Sequence, residues 1–362
     1  MKPFRTILTS LALLAFLAGT AGAQIISGQN EPNPINLLDN GAMNVFQRGA
    51  SAGSITTVPK YAQDRWAGWS GTSTIQTLSN VTTSLPAQFT NAAQLQRTSG
   101  QTGVVLSCIV QEILTSNFTP IAGQPVTLSF WASAGANFSA ASSNMTVQIQ
   151  TGTTADEGLA TALTGLTGSA LPMNSLVPIT TGWQRYAVTA TIPSTAIEGV
   201  VQLCWKPVGT AGTSDLIQVT GVQLQRGTVA TNFEFKPYAN ELRTAQVYYT
   251  QWNDAPAATF TLPGTCTEVT SGTLAHCVLM LPATMRVIPT AAVTTATSFG
   301  MTSVAAGAAG ACSTLAVIAS ANSLNSLKLS CALSETAAVG TMHIMLYAAT
   351  GAANLLTASA DF

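Results

Sequence analysis

The chain has 362 residues, of which 7% are charged and 47% hydrophobic, with a formal net charge of −1 at pH 7. Against a usual domain size of roughly 100–200 residues this length points to two domains, and the apolar residues are too plentiful and too regularly spaced for a disordered chain. No basic run occurs, which leaves electrostatic binding to nucleic acid little support.

In chain order, Lys2 and Arg5 precede an apolar run from Ile7 to about Ala18 and the small residues Ala21 and Ala23. This is the order of a secretory signal peptide over 1–23, cleaved after Ala23, with a linker over 24–36. An uncleaved membrane anchor is the alternative, for which the run is short of the roughly 20 apolar residues a bilayer needs. No later segment is apolar for long enough to span a membrane.

From Leu37 onward the pattern has period two and is punctuated by Gly, Pro, Asn and Ser, as expected for many short strands. Val126, Leu128 and Phe130 alternate with Thr127, Ser129 and Trp131; Met145, Val147 and Ile149 alternate with Thr146, Gln148 and Gln150; Tyr186, Val188 and Ala190 alternate with Arg185, Ala187 and Thr189. Each predicts a half-buried antiparallel strand. Ile217 and Val219 occupy one phase and Val222 and Leu224 the other, so a β-bulge is expected near Gly221. Pro237 stands where a first helical turn tolerates proline, and Leu242, Ala245 and Tyr249 then share one face of a helix over about 237–250. Alternation resumes beyond it, as in Met342, Ile344 and Leu346 against Thr341, His343 and Met345, and the Ala/Gly-rich stretch 305–311 reads as a loop. The expected fold class is all-β: a sandwich over 37–236, a short helical connector over 237–252 and a second, smaller β-sandwich over 253–362.

Six cysteines in an exported chain favour disulfides over metal sites. Cys108 and Cys204 stand apart from Cys266, Cys277, Cys312 and Cys331, which crowd the end of the chain. Six cysteines admit 15 connectivities; the expected pairing is Cys108 with Cys204, Cys266 with Cys277, and Cys312 with Cys331. With no CxxC spacing and only His276 and His343, a zinc site is not expected. His276 shares the phase of Leu274, Val278 and Met280 and reads as a satisfied core histidine.

Several stretches resemble the receptor-binding tail-fibre tip proteins of phages and prophages. Asn36-Leu37-Leu38-Asp39-Asn40-Gly41 with Val45-Phe46-Gln47-Arg48-Gly49 is similar to the start of their jelly-roll module, and Tyr61-Ala62-Gln63-Asp64-Arg65-Trp66 to its aspartate-arginine-tryptophan signature. Leu128-Ser129-Phe130-Trp131-Ala132 and Gly182-Trp183-Gln184-Arg185-Tyr186 resemble two core strands. The fullest match runs from Gly221-Val222-Gln223-Leu224-Gln225-Arg226-Gly227 through Asn232-Phe233-Glu234 to Glu241-Leu242 and Tyr248-Tyr249, and Leu281 to Thr290 resembles a strand-turn of a terminal domain. The resemblance implies a carbohydrate-binding-module-like jelly roll over 37–236, a homotrimer or fibre assembly, attachment to surface glycans or another cell-surface receptor, and no chemical reaction. A structural calcium ion is common in such modules, and no cofactor is otherwise implied. Three features depart from the family: the leader, the paired cysteines of the terminal domain, and Gln225 where an acidic residue is usual.

Sugar sites set aromatic rings against apolar sugar faces and use amides and carboxylates for hydroxyls. The candidates are Trp66, Trp69 and Trp131 with Asp64 and Arg65, each also readable as structure: Trp66 as core, Asp64 and Arg65 as internal ion pairs. Trp183 and Trp205 read as core, and Gln223 and Glu234 as partners of turn backbone. Catalysis has little to build on. Asp64 with Glu112, or Asp156 with Glu157, are carboxylate pairs outside any recognisable motif, and no nucleophile elbow, HExxH or phosphate loop occurs. The expected function is therefore an exported, non-catalytic adhesin or tail-fibre-like receptor-binding protein, secreted or held at the cell surface. The alternative is a structural subunit of an extracellular fibre.

Overall fold

Alternation folds the first two thirds of the chain into two stacked sheets. The computed structural model describes residues 35–71, 75–252, 260–270, 273–293, 299–303, 309–333, 342–347 and 356–361. The leader and nearly all of the 24–36 linker lie outside these residues, as does 305–308 of the expected Ala/Gly-rich loop, whose last residues belong to a strand.

The strands are β1 (Ser51–Ile55), β2 (Lys60–Tyr61), β3 (Ala67–Ser70), β4 (Gln76–Val81), β5 (Ala92–Arg97), β6 (Ser107–Ile113), β7 (Pro125–Ala134), β8 (Asn144–Gly152), β9 (Ala170–Pro178), β10 (Gln184–Thr191), β11 (Glu198–Trp205) and β12 (Leu216–Arg226). A first antiparallel sheet has the order β1-β4-β5-β12-β7-β10 and a second β2-β3-β6-β11-β8-β9. The chain passes from one sheet to the other between most successive strands, as in a jelly roll. Two short helices, α1 (Thr115–Phe118) and α2 (Leu159–Thr164), interrupt the strands.

Inward-facing side chains of both sheets make one core. Leu128 and Phe130 of β7 and Ile217, Val219, Val222 and Leu224 of β12 meet Val147 and Ile149 of β8 and Val201, Leu203 and Trp205 of β11. Both phases of β12 reach this core because its register against β7 slips between Thr220 and Gln223. Gly221 makes the slip feasible: its φ is +59°, and a Cβ there would lie 2.4 Å from Cζ of Phe89. At one end of the core Arg97 and Asp215, both fully buried, pair at 2.6 Å. Ser139 also bonds the Asp215 carboxylate, and the Arg97 Nη groups donate to the carbonyls of Gln101 and Gly103, while Arg97 Nε has no hydrogen-bond partner.

The helix starts where expected, with Pro237 as its N-cap residue, but α3 (Tyr238–Gln246) ends before Tyr249, which instead opens β13 (Tyr249–Trp252). Backbone pairing with β21 (Leu356–Ser359) wins over the helical phase of Tyr249. The remaining strands are β14 (Phe260–Thr270), β15 (Leu274–Met280), β16 (Thr290–Val293), β17 (Phe299–Ser303), β18 (Ala309–Val317), β19 (Ser326–Leu333) and β20 (Met342–Tyr347). The smaller β unit is more closed than two open sheets: β14-β15-β19-β18-β17-β20 form a barrel, and β13-β21-β16 form a separate three-stranded sheet. Closure pairs every barrel strand on both sides and leaves no open edge.

All three expected disulfides form: Cys108–Cys204, Cys266–Cys277 and Cys312–Cys331. The first two join residues directly opposite each other on paired strands, with Cα atoms 4.0 and 3.9 Å apart. His276 corrects its expected place. On β15 the buried phase is Ala275, Cys277 and Leu279, while Val278 and Met280 point outward with the half-buried His276. The inward phase packs with Cys266, Leu327, Leu329 and Cys331 in the core of this unit.

Candidate functional site

The outer face of the second sheet carries the side chains that alternate away from the core. They are Cys108, Val110 and Glu112 on β6, Glu198, Val200, Gln202 and Cys204 on β11, and Thr146, Gln148 and Gln150 on β8. Register sets them in rows: Trp69, Cys108, Cys204 and Thr146 in one, and Val110, Gln202, Gln148 and Asn174 in the next. Leu159 and Ala162 of α2, with Leu166, pack on Val110, Val200 and the Cys108–Cys204 pair.

Beside α2 a cleft of about 330 Å³ opens on this face. Gln148, Gln150 and Gln202 form its floor, Trp69 and Leu106 stand toward β3, Leu163 comes from α2, and Ser169, Ala170 and Leu171 stand toward β9. The floor amides hold one another in place. Gln202 Nε2 donates to Gln150 Oε1 at 3.1 Å, Gln150 Nε2 to Ser169 Oγ at 3.0 Å, and Gln148 Nε2 to Asn174 Oδ1 at 3.0 Å. Each of these bonds uses one N–H of a primary amide and leaves the other, along with acceptor capacity, for a ligand. The Trp69 ring is half-buried and oriented by its Nε1–H, which donates to the carbonyl of Thr57 at 3.1 Å. An oriented indole beside an ordered amide floor suits a flat, hydroxyl-bearing ligand.

The other predicted site residues lie elsewhere. Trp66 is fully buried in the sandwich core, with Nε1 donating to the carbonyls of Asp39 and Asn40. Asp64 and Arg65 are 1% and 4% exposed. They pair not with each other but with Arg48 at 3.0 Å and Asp39 at 3.2 Å. Arg65 also stacks 3.5 Å from the centre of the Tyr248 ring, and Arg48 3.7 Å from that of Tyr249. A second ion pair joins Arg48 to Asp361. The ligand roles considered for Trp66, Asp64 and Arg65 are corrected accordingly: Trp66 packs inside the sandwich, Asp64 (through Arg48) and Arg65 tie it to the segment after α3, and burial keeps all three from a surface glycan. Trp131 is half-buried on the outer face of the first sheet, opposite Arg185 and Thr220, so it does not share a site with Trp69. Trp205 is core as expected, whereas Trp183 is half-buried and donates to the carbonyl of Ser84. Gln223 and Glu234 serve the backbone as expected, Gln223 accepting from Glu234 N and Glu234 from Asn36 N.

Further along the groove face lie two carboxylates, Glu112 and Glu198, 4% and 1% exposed. Register places Glu112 opposite Val200, one diagonal step from Glu198. Glu198 Oε2 accepts the N–H of Glu157, while Glu198 Oε1 and both Glu112 oxygens have no hydrogen-bond partner. Burial pushes both carboxyls up to about 7. Among the described residues no group of three or more His, Cys, Asp or Glu side chains is placed to hold a metal ion, so they supply no such cluster for the calcium ion that the resemblance implies.

No protein-family model and no curated protein matches the chain. Among solved structures it is similar to the enzymatically active domain of bacteriophage CBA120 tailspike protein 4, with 13% identity over 53% of this chain and 22% of that one and a TM-score of 0.31. It is likewise similar to a xylan-binding domain of carbohydrate-binding module family 22, with 15% identity, 50% and 98% coverage and a TM-score of 0.30. A family 61 module in complex with β-1,4-galactotriose gives 14% identity, 53% and 99% coverage and a TM-score of 0.30. The chain thus spans under a quarter of the tailspike domain's length.

Sequence reading missed the floor. Gln148 and Gln150 were legible as the polar phase of β8, but Gln202 sits in the run Val200-Val201-Gln202-Leu203-Cys204, where both neighbours in its phase are apolar. Only the pairing of β11 with β8 shows that it faces other amides.

Proposed function

We propose that the chain is an exported, non-catalytic binding protein that holds surface glycans in the groove beside α2. The observation that carries this reading is the groove itself: an oriented half-exposed indole, Trp69, facing an amide floor of Gln148, Gln150 and Gln202. Pyranose rings bring an apolar face for the indole and hydroxyls for the amides. The two high-pKa carboxylates, Glu112 and Glu198, are outside the groove lining, which favours binding over hydrolysis. Three disulfides and the leader-like first 23 residues support an oxidising, extracellular location. Among the described residues no helix is long and apolar enough to cross a membrane. Self-association as a trimer or fibre would multiply one weak site into useful avidity.

A structural fibre subunit is the second reading, favoured by the outward Met280 and Ile288 of the smaller unit, 53% and 61% exposed. The test expresses residues 24–362 in an oxidising compartment and combines light scattering with a glycan array. We expect a discrete oligomer that binds a defined glycan set, and Trp69→Ala to weaken that binding at least ~10-fold, the loss of one aromatic hot spot. An open-ended polymer that binds no glycan would replace the adhesin reading with the fibre reading.

A further inference from the structure

Resting on the glycan-binding reading, we infer that the groove selects uncharged sugars: a neutral pyranose ring enters the cleft, and its carboxylated, sulfated or phosphorylated counterpart is rejected. The nine residues lining the cleft are Trp, Leu, Gln, Ser and Ala only, with no ionisable side chain among them. An anion entering it would lose hydration and gain no counter-charge, a loss that hydrogen bonds to neutral amides offset only in part. The acids on the same face act in the same direction: Glu112 and Glu198, with Asp156 and Glu157 in the segment leading to α2.

Arg65 and Arg286 act on Glu112 but lie outside the lining, Arg65 being buried against Asp39 and Tyr248, and two lysines belong to the sheet. Lys60 on β2 sits opposite Gly68, in the phase that points away from Trp69, and its ammonium donates to the carbonyl of Gly53. Lys206 directly follows β11, is exposed and lies outside the lining. A solvated ammonium at that distance offers a screened, salt-sensitive attraction and cannot replace a counter-charge inside the cleft. At about 330 Å³ the cleft is at the small end of ligand pockets, roughly 300–1,000 Å³, so it holds one or two rings and not a long chain.

The experiment titrates the full mature chain with matched oligosaccharides of glucose, galactose, mannose and xylose and with the uronate and sulfate forms of the hexose series, at 50 and 500 mM salt. The neutral member of a pair should bind at least tenfold more tightly than its uronate at both salt concentrations, and Lys206→Gln should leave that ratio unchanged. In Gln148→Lys, which puts a cation on the half-buried floor, the ratio should fall at least fivefold. A uronate or sulfate that binds as tightly as its neutral partner overturns the selectivity while leaving the glycan-binding reading standing. Binding of neither class overturns the glycan-binding reading itself. A ratio indifferent to Gln148→Lys, in a variant whose melting temperature matches the parent, overturns the assignment to this cleft.

Discussion

Glu112 and Glu198 show how far burial outweighs local sequence in setting the chemistry of a side chain. Neither stands in a motif, yet burial holds both carboxyls up to about 7. Arg65 and Arg286 pull Glu112 down, while Glu198 and Asp156 push it up; Glu157 and Asp156 add to the push on Glu198. Between the ordinary carboxyl range and about pH 7 the folded chain keeps protons that the unfolded chain has released, so stability is greatest at the acidic end and falls as pH rises. Thermal melts from pH 5 to 8 should show the melting temperature dropping, and Glu112→Gln should make that slope shallower, since one of the titrating groups is gone. A flat profile in the parent protein would refute this account. The adjacent pair Asp64-Arg65 gives the complementary lesson. Their types were legible as structural, but not their partners, because Arg48, Asp39 and Tyr248 reach them only through the fold.

At the level of elements, alternation was a reliable guide wherever one face of a strand meets the core. β7, β8 and β12 fall where the pattern put them, and the phase slip near Gly221 is a true register slip. Gly221→Ala should cost about 1–3 kcal/mol, through the positive φ and the collision with Phe89. Urea unfolding would show this as a lower midpoint with an unchanged slope; an unshifted midpoint would mean that the bulge can relax around a methyl group. Two elements escaped the pattern for identifiable reasons. Tyr249 fits a helical face but leaves it for a strand pairing more than 100 residues away in sequence. His276 shares a phase with large apolar residues, yet the barrel's interior takes the smaller phase of β15.

For the whole molecule, the junction between the sandwich and the segment after α3 is the feature most exposed to test. Arg48 holds Asp64 and Asp361 and stacks on Tyr249, and Gln47 donates to the carbonyl of Tyr249 at 2.9 Å. Arg48→Ala would leave the buried Asp64 carboxylate with its backbone partner Gln47 and the weaker pull of Arg65 but no ion-pair partner, a loss of about 3 kcal/mol. Calorimetry of this variant should resolve a separate, earlier transition for the smaller β unit; a single transition at the parent temperature would show that the junction is held by other contacts. The motifs behind the family resemblance, Val45 to Gly49, Tyr61 to Trp66 and Tyr248-Tyr249, meet at this junction, so they report on architecture more than on ligand. The sequence by itself determined the all-β class, the bulge, the place of the helix start and the cysteine partition, because period, turn residues and spacing are local properties. Tertiary structure alone decided that three glutamines on two neighbouring strands share a floor with Trp69, and that Trp131 lies on the opposite face. A shared face depends on register between strands some 50 residues apart, and no local pattern encodes that.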